Sequence, residues 1–172
     1  GKSADEAKVS VNSIANVEMT GNIGNAKLYE TKDAQGIITG RDFKGSVEIV
    51  SQTGSLVQTG GSLFGQNITL EAGKDMLDIN VTAGDTVNLS AVNIMQNIAD
   101  LAQNTISINV NNAYGAQGNV SLGNMGSVIK NNTSYTLPVN STGITGVVDV
   151  STYGDISQKA GNNISIVSDR IN

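Results

Sequence analysis

The segment Ile68-Thr69-Leu70-Glu71-Ala72 alternates apolar and polar residues, and this pattern decides the predicted fold. It recurs at Val87-Asn88-Leu89-Ser90-Ala91 and at Ile106-Ser107-Ile108-Asn109-Val110, and each copy begins 19 residues after the previous one. A period of two places successive side chains on opposite faces of a strand. Similar strands at a fixed spacing indicate stacked repeats. The chain is therefore predicted to be all-β, a parallel β-helix (β-solenoid) with about 19 residues per coil.

The alternation also predicts which side chains form the core. Ile68, Leu70 and Ala72 fall on one face of their strand, and Thr69 and Glu71 fall on the other. Stacked coils would bury ladders of aliphatic residues and expose Thr, Ser and Asn. The core of such a protein is a column whose length grows with the number of repeats.

Glycine and asparagine follow the strand-like runs and predict the corners of the coils. The segments are Ala72-Gly73-Lys74-Asp75, Ala83-Gly84-Asp85 and Ala160-Gly161-Asn162-Asn163. We expect left-handed backbone conformations there, since these cost Gly and Asn least.

The composition agrees with a solenoid and excludes several functions. The 172 residues include 20 Gly, one Pro and 3% aromatic residues, while 38% are hydrophobic. Cys, His and Trp are absent, which removes thiol chemistry, imidazole catalysis and the commonest zinc sites. The net charge of −5 argues against nucleic acid as a partner, because phosphate contacts need a basic face. No catalytic residue, metal or cofactor is predicted.

The repeats divide the chain into two regions. Residues 1–45 are predicted to be irregular β-helix coils or a cap, in which Val17–Thr20 and Ala26–Tyr29 are candidate strands of the same stack. Residues 46–172 are predicted to be the repeat region, with a loop excursion at 125–146 that contains the only proline. Residues 94–103 fit a helical turn by spacing, but the flanking repeats favour another strand and corner. The chain ends suggest an internal fragment.

Several sequence segments resemble those of the haemagglutinin-repeat exoproteins of Gram-negative two-partner secretion systems, which include filamentous haemagglutinin. They are Gly54-Ser55-Leu56-Val57-Gln58-Thr59-Gly60-Gly61, Asn119-Val120-Ser121-Leu122-Gly123-Asn124 and Gly154-Asp155-Ile156-Ser157-Gln158-Lys159-Ala160-Gly161-Asn162-Asn163-Ile164-Ser165-Ile166. The resemblance covers roughly residues 45–172. It implies a right-handed β-helix, export through an outer-membrane transporter partner, and a secreted or cell-surface location at the Gram-negative outer membrane.

The resemblance further implies a structural or adhesive role without catalysis. The segment would belong to a filamentous adhesin or to the stalk of a contact-dependent toxin, and it would be monomeric. Its partner would be a receptor or glycan on a host cell or a bacterial surface.

Two other functions stay open. The phrase Asn67-Ile68-Thr69-Leu70-Glu71-Ala72-Gly73-Lys74-Asp75 is also similar to the trimeric β-prism spikes of contractile injection systems, and the interval from Gly73 to Gly84 fits their shorter repeats. Some secreted β-helices are polysaccharide-active enzymes that use exposed carboxylates. Asp75, Asp78 and Asp85 are the best acidic group, but their spacing matches no calcium loop. Solvated corner carboxylates explain them more simply.

Two sets of residues are candidate sites. The pattern Asn-x-Ser/Thr occurs eight times and makes each asparagine a possible glycosylation acceptor, although polar outward rows also produce it. These asparagines are Asn67, Asn80, Asn88, Asn119, Asn131, Asn132, Asn140 and Asn163. Tyr114 and Tyr153 each precede a glycine and are candidate receptor contacts, although tyrosines that lie flat against a corner are common.

Overall fold

The structure is a computed structural model that describes residues 7–102 and 105–110, together with the backbone of the short strands beyond residue 118. All regular elements of these residues are β-strands, without a helix. The strands are β1 (Lys8–Ser13), β2 (Val17–Met19), β3 (Ile23–Gly24), β4 (Tyr29–Lys32), β5 (Ile38–Asp42), β6 (Ser46–Ser51), β7 (Leu56–Gln58), β8 (Leu63–Ala72), β9 (Met76–Ala91), β10 (Ile94–Ala102), β11 (Thr105–Val110), β12 (Asn119–Leu122), β13 (Asn124–Ser127), β14 (Ile129–Lys130), β15 (Tyr135–Thr136), β16 (Val147–Thr152), β17 (Ile156–Gln158), β18 (Ile166–Val167) and β19 (Arg170–Ile171).

Fifteen of these strands form one parallel sheet that curls round an axis and is nearly closed. Its strands fall into three stacks, which we call faces A, B and C. Face A contains β1, β6, the second half of β8, the end of β9, β11, β16 and β19. Face B contains β2, β7, the start of β9, the start of β10, β12 and β17. Face C contains β3, the start of β8, the middle of β9, the end of β10, β13 and β18. The predicted all-β solenoid is thereby confirmed at this level.

The three repeats that decided the prediction lie directly on one another in face A. Ile68 pairs with Val87, and Val87 pairs with Ile106. The preceding pair of strands, β6 and β8, is offset by 21 residues, since Val47 pairs with Ile68. The offset is 38 residues between β1 and β6 and 42 residues between β11 and β16. The register therefore stays continuous although the length of chain between paired strands varies.

The core is the column that the alternation predicts. In the second row of face A, Ile49, Leu70, Leu89 and Ile108 lie one above the other, and each is at most 2% exposed. Faces B and C add large buried side chains that pack against this row, among them Leu56, Met76 and Met95 from face B and Leu63 and Val81 from face C. The burial of Ile68, Leu70 and Ala72 and the outward position of Thr69 and Glu71 are confirmed.

The corners differ from the prediction in their physical cause. Gly73 does lie at the corner between faces A and B, but its φ is not positive. Glycine is needed there because a Cβ would overlap the backbone carbonyl oxygen of Gln52 in the adjacent coil. Gly84 lies within β9, where a Cβ would overlap the carboxylate of Asp42. Left-handed backbone occurs instead at the corner between faces B and C, at Asp78 (φ 57°), Gly21 (φ 73°) and Gly61 (φ 72°). The expectation of left-handed glycines at 73 and 84 is wrong.

Polar groups inside the coil are mostly paired. The Gln58 amide donates to the carbonyl oxygens of Gly61 and Asn80 and accepts the N–H of Asn80, at 2.9–3.3 Å. The Ser51 hydroxyl donates to the carbonyl oxygen of Ala15 at 2.8 Å and accepts the N–H of Gly54 at 3.1 Å. Asn97 is the exception, because among the described residues neither of its buried amide atoms has a hydrogen-bond partner.

The two segments that the sequence left ambiguous are now placed. Residues 94–102 form β10, so the preference for a strand over a helical turn is confirmed. Val17–Met19 joins face B, but Tyr29 begins a hairpin outside the stack, so the expectation that Ala26–Tyr29 is a strand of the stack is wrong. The described part of the chain has no helix long and apolar enough to span a membrane.

Candidate binding surface at the hairpin corner

Two hairpins leave the solenoid at the same corner, between faces C and A, which we call the hairpin corner. In the first, β4 pairs with β5 in antiparallel fashion, and the excursion joins β3 of face C to β6 of face A. In the second, β14 pairs with β15, between β13 of face C and β16 of face A. β14 also lies next to β5. Residues 125–146 thus contain part of β13 and the second hairpin, and residues 1–45 contain three stacked strands and the first hairpin.

The first hairpin closes through its own side chains. The Asp33 carboxylate accepts the N–H groups of Gln35 at 3.0 Å and Ile37 at 2.8 Å, and the Gly36 N–H donates to the Asp33 carbonyl oxygen at 3.0 Å. An aspartate side chain that accepts the N–H group two residues further on forms an Asx-turn, which favours chain reversal at this position. Ile37 at the tip is 63% exposed.

The base of the first hairpin is fixed to the solenoid by Phe43. Its buried ring lies 5.5 Å from the ring of Phe64 on β8, measured between centroids. Next to it, Gln66 donates its amide to the Asp42 carboxylate at 3.2 Å and to the Phe43 carbonyl oxygen at 2.5 Å, in the amide orientation that satisfies both. Gly84 leaves the space that the Asp42 carboxylate fills. The hairpin is therefore tied to two successive coils.

Lysine side chains converge on one tyrosine at this base. The Nζ atoms of Lys27 and Lys44 lie 4.9 Å and 5.4 Å from the centroid of the Tyr29 ring. The Asn25 amide donates to the Tyr29 hydroxyl at 2.6 Å and holds the ring in place. Cation–π attraction positions both ammonium groups on the ring. We call Asn25, Lys27, Tyr29 and Lys44 the lysine–tyrosine cluster.

A small cavity of about 200 Å³ opens beside this cluster. Val9 and Phe64 supply apolar lining, and Lys8, Asn25 and Lys44 supply polar groups. Ala7, Gly24, Gly45 and Ser46 complete the wall. Lys8 is ion-paired with Glu48 on the neighbouring strand. The arrangement offers apolar contact together with cationic and amide donors.

The predicted glycosylation acceptors are spread over the solenoid. Asn67 and Asn88 are exposed on the outer side of face A, and Asn67 also lines a groove of about 510 Å³ beside the first hairpin. Asn80 is partly buried and donates its amide to the Gly61 carbonyl oxygen at 3.4 Å. Asn119 is a strand residue opposite Ile94. Asn131, Asn132, Asn140 and Asn163 lie outside the described residues, as do the candidate contacts Tyr114 and Tyr153.

The acidic group is not a site in the structure. Asp75 lies between faces A and B, Asp78 between B and C, and Asp85 between C and A. Three different corners of one coil thus separate the three carboxylates. Across the described residues, no group of three Asp, Glu, His or Cys side chains is arranged to hold a metal ion.

Comparison of the chain with family models, with curated proteins and with solved structures finds no match.

Sequence reasoning missed the lysine–tyrosine cluster. A signal was present, because six of the ten Lys and Arg residues fall in the first 50 positions of an acidic chain. The convergence itself depends on the hairpin, which brings Lys44 next to Tyr29 from 15 positions away. That hairpin was not predicted.

Proposed function

We propose that this chain is a structural and adhesive length of right-handed β-helix, with about 19 residues per coil, from a large secreted or surface-exposed filamentous protein. Its sequence segments resemble those of haemagglutinin-repeat adhesins and of the stalks of contact-dependent toxins, which are proteins of this type. The segment is not catalytic. Its parent is exported through an outer-membrane transporter and is presented at the Gram-negative cell surface, where it meets a receptor or glycan on a host cell or on another bacterium.

One observation carries the structural part of the proposal. The buried row Ile49, Leu70, Leu89 and Ile108 continues through consecutive coils without a break in register. Each coil buries its apolar side chains against its neighbours only, so that the core extends along one direction. A core of this shape supports a long rod and holds binding surfaces at fixed distances along it.

The hairpin corner supports the adhesive part. Two excursions emerge at one corner, and the first is fastened by Phe43 and by the pairing of Gln66 with Asp42. Loops and excursions on a rigid scaffold are where binding residues are commonly found. Polar and charged residues such as Thr69, Glu71, Asn88 and Ser90 occupy outward positions of face A and keep the surface hydrated.

The trimeric spike is the alternative function. In a β-prism spike three chains share one core, whereas here residues of one chain bury Leu70 and Met76 completely. A polysaccharide-active enzyme has less support, because Asp75, Asp78 and Asp85 lie at three corners and form no paired carboxylates.

Mass and shape in solution separate the first two functions. Light scattering coupled to size-exclusion chromatography should give the monomer mass of 17.7 kDa, and small-angle X-ray scattering should give an elongated particle. A trimer mass would favour the spike.

Adhesion needs its own measurement. Beads coated with the full chain should bind cultured epithelial cells or Gram-negative bacteria, and the soluble chain should compete with them. Release of reducing sugar from any surface polysaccharide would contradict the non-catalytic role. Failure to bind any surface would leave only the stalk function.

A further inference from the structure

The first coil of the solenoid consists of β1, β2 and β3, and each of these strands has one edge that pairs with no described strand. β1 pairs with β6, β2 with β7 and β3 with the start of β8, all on the side of the second coil. The carbonyl oxygens of Ala7 and Ser13 accept N–H groups of the second coil. Alternate residues of a parallel strand bond to opposite neighbours, so the N–H and C=O groups of Lys8, Ser10 and Asn12 face away from the stack. The edge of β1 therefore offers a row of backbone donors and acceptors.

The side chains at this end are apolar and only partly covered. Val9 pairs with Val47 in one row of face A, and Val47 is 1% exposed. Val11 pairs with Ile49 in the next row, and Ile49 is also 1% exposed. By contrast, Val9 is only partly buried and Val11 is 37% exposed, while Ile14, directly after β1, is 71% exposed. The two rows lose their cover at β1, because among the described residues only one coil packs on this strand.

Faces B and C end in the same way. Val17 in face B pairs with Leu56, and Ile23 in face C pairs with Leu63. Both leucines are 0% exposed, but Val17 and Ile23 are only partly buried against the core. A solenoid that stops at a coil requires a terminal repeat with a polar outer face. The first described coil presents aliphatic residues there instead, so it has the properties of a coil within a stack rather than those of a cap.

We propose that a further coil of parallel β-helix, from the part of the parent chain that precedes β1, packs on this end. The occupant has three short strands, one for each face, and alternating aliphatic residues that cover Val9, Val11, Val17 and Ile23. Its strands bond to the outward N–H and C=O groups of β1. The inference rests on the proposed filament and names the partner of its first described coil.

A coil of the same chain fits this end better than a second copy of the protein. The strand pairs of the described stack are parallel, as successive coils of one chain are. Two copies that met through their first coils would be related by a two-fold axis, and their β1 strands would run antiparallel. A short connection also gives an attached coil an effective concentration on the order of millimolar. Within β8, the two residues Gly65 and Gln66 are enough to connect face C with face A.

A duplicated coil serves as the probe of this end. Residues 46–66 form one complete coil, because Asn67 follows them and pairs with Ser46. The test variant carries a second copy of residues 46–66 between Ala7 and Lys8. The copy of Ser46 then lies over Lys8, as Ser46 itself lies over Asn67.

Hydrogen exchange of the full chain, measured by NMR, gives the readout. In the parent chain the Ser10 and Asn12 amides should exchange fast, because they face the open edge, whereas the Val11 amide, which faces β6, should exchange slowly. The duplicated coil should slow exchange of Ser10 and Asn12 by roughly tenfold or more, because their N–H groups gain partners. Slow exchange of Ser10 and Asn12 already in the parent chain, or fast exchange in the variant, overturns the proposal.

A matched control carries the same insertion with Ile49→Asp and Leu56→Asp in the inserted copy only. The copy cannot bury these carboxylates without a large cost, so Ser10 and Asn12 should exchange as in the parent chain. Equal protection by the control would show that any added chain shields the edge, and would contradict stacking. Slow exchange of the Leu70 amide in all three chains verifies that the original stack stays folded.

Failure of this inference can be told apart from failure of the proposed function. If the parent chain is an elongated monomer but the duplicated coil leaves Ser10 unprotected, the rod stands and the stacking end is wrong. If the duplicated coil protects Ser10 but scattering shows a compact or trimeric particle, the stacking end stands and the rod is wrong. A dimer mass that grows with protein concentration and is lost in Val11→Lys would identify a second copy as the occupant and would overturn the proposal.

Discussion

Asn97 offers a sharp test of how the interior of the coil is packed. It lies in β10 opposite Ile79, at a point where the register with β9 shifts. Its side chain is 0% exposed, and neither its amide nitrogen nor its amide oxygen has a hydrogen-bond partner within the described part of the chain. By contrast, the buried Gln58 amide makes three hydrogen bonds to Gly61 and Asn80. We expect Asn97→Leu, which keeps the branch at Cγ, to stabilise the protein.

The expected gain follows from three contributions. An unpaired buried donor or acceptor costs about 1–3 kcal/mol, and the substitution removes one of each. Burial of the leucine methyl groups contributes roughly a further 1.5–3 kcal/mol. The larger side chain opposes these gains, since added volume in a packed core costs about 1–3 kcal/mol. With each gain taken at the lower end of its range, the net gain should be about 2 kcal/mol, which raises Tm by about 4–8 °C for a chain of this size.

Urea unfolding followed by circular dichroism measures the change in the free energy of unfolding. Asn97→Val is the companion variant, because it removes the amide without adding as much volume. Asn88→Leu is the matched control: Asn88 is exposed on face A, and its free energy of unfolding should change by less than about 0.5 kcal/mol. If both Asn97 variants lose more than about 1 kcal/mol, the amide makes an essential hydrogen bond and the reasoning is refuted.

Three further predictions follow from the core, the corners and the outer face. Leu70→Ala should lower the free energy of unfolding by about 3 kcal/mol, whereas Thr69→Ala on the outward side should change it by less than about 0.5 kcal/mol, as urea unfolding will measure. Gly73→Ala should lower the free energy of unfolding by about 1–3 kcal/mol, because the new Cβ meets the Gln52 carbonyl oxygen. Gly60→Ala should leave it almost unchanged, because no atom lies within 4 Å of the new Cβ. Equal changes in Tm for the two variants, measured by thermal unfolding, would contradict this. In a host that glycosylates Asn-x-Ser/Thr, peptide mass spectrometry should find glycan on Asn67 and Asn88, which are exposed. Asn80 should stay unmodified, because its side-chain amide and its backbone N–H are hydrogen-bonded. Glycan on Asn80 but not on Asn67 or Asn88 would contradict this prediction.

The repeats of face A were predictable because the pattern that determines their burial lies within each short strand. Alternation of apolar and polar residues determines which side of a strand is buried, and it did so correctly for Ile68, Leu70 and Ala72. The spacing of the repeats then identified which strands stack, as the pairs of Val87 with Ile68 and Ile106 confirm. Both signals are repeated along the chain and therefore visible in one sequence.

The corners and the hairpin corner were not predictable in the same way. The need for glycine at 73 and 84 comes from Gln52 and Asp42, which belong to other coils, so no local turn preference reveals it. The hairpin β4–β5 depends on the Asp33 turn and on the packing of Phe43 against Phe64, 21 residues away in sequence. A short run such as Ala26–Tyr29 fits a stacked strand and a hairpin strand equally well.

The long offset between β11 and β16 bears on how such chains acquire new parts. Paired residues of these strands are offset by 42 positions, against 19 between β9 and β11, yet all six residue pairs from Thr105↔Val147 to Val110↔Thr152 stay in register. Doubling the length of a closed loop costs only about 0.6 kcal/mol. An inserted segment at this corner therefore imposes little penalty on the ladder, so whole hairpins can be added or removed there. The same tolerance makes the corner a suitable position for grafting foreign peptides onto the rod.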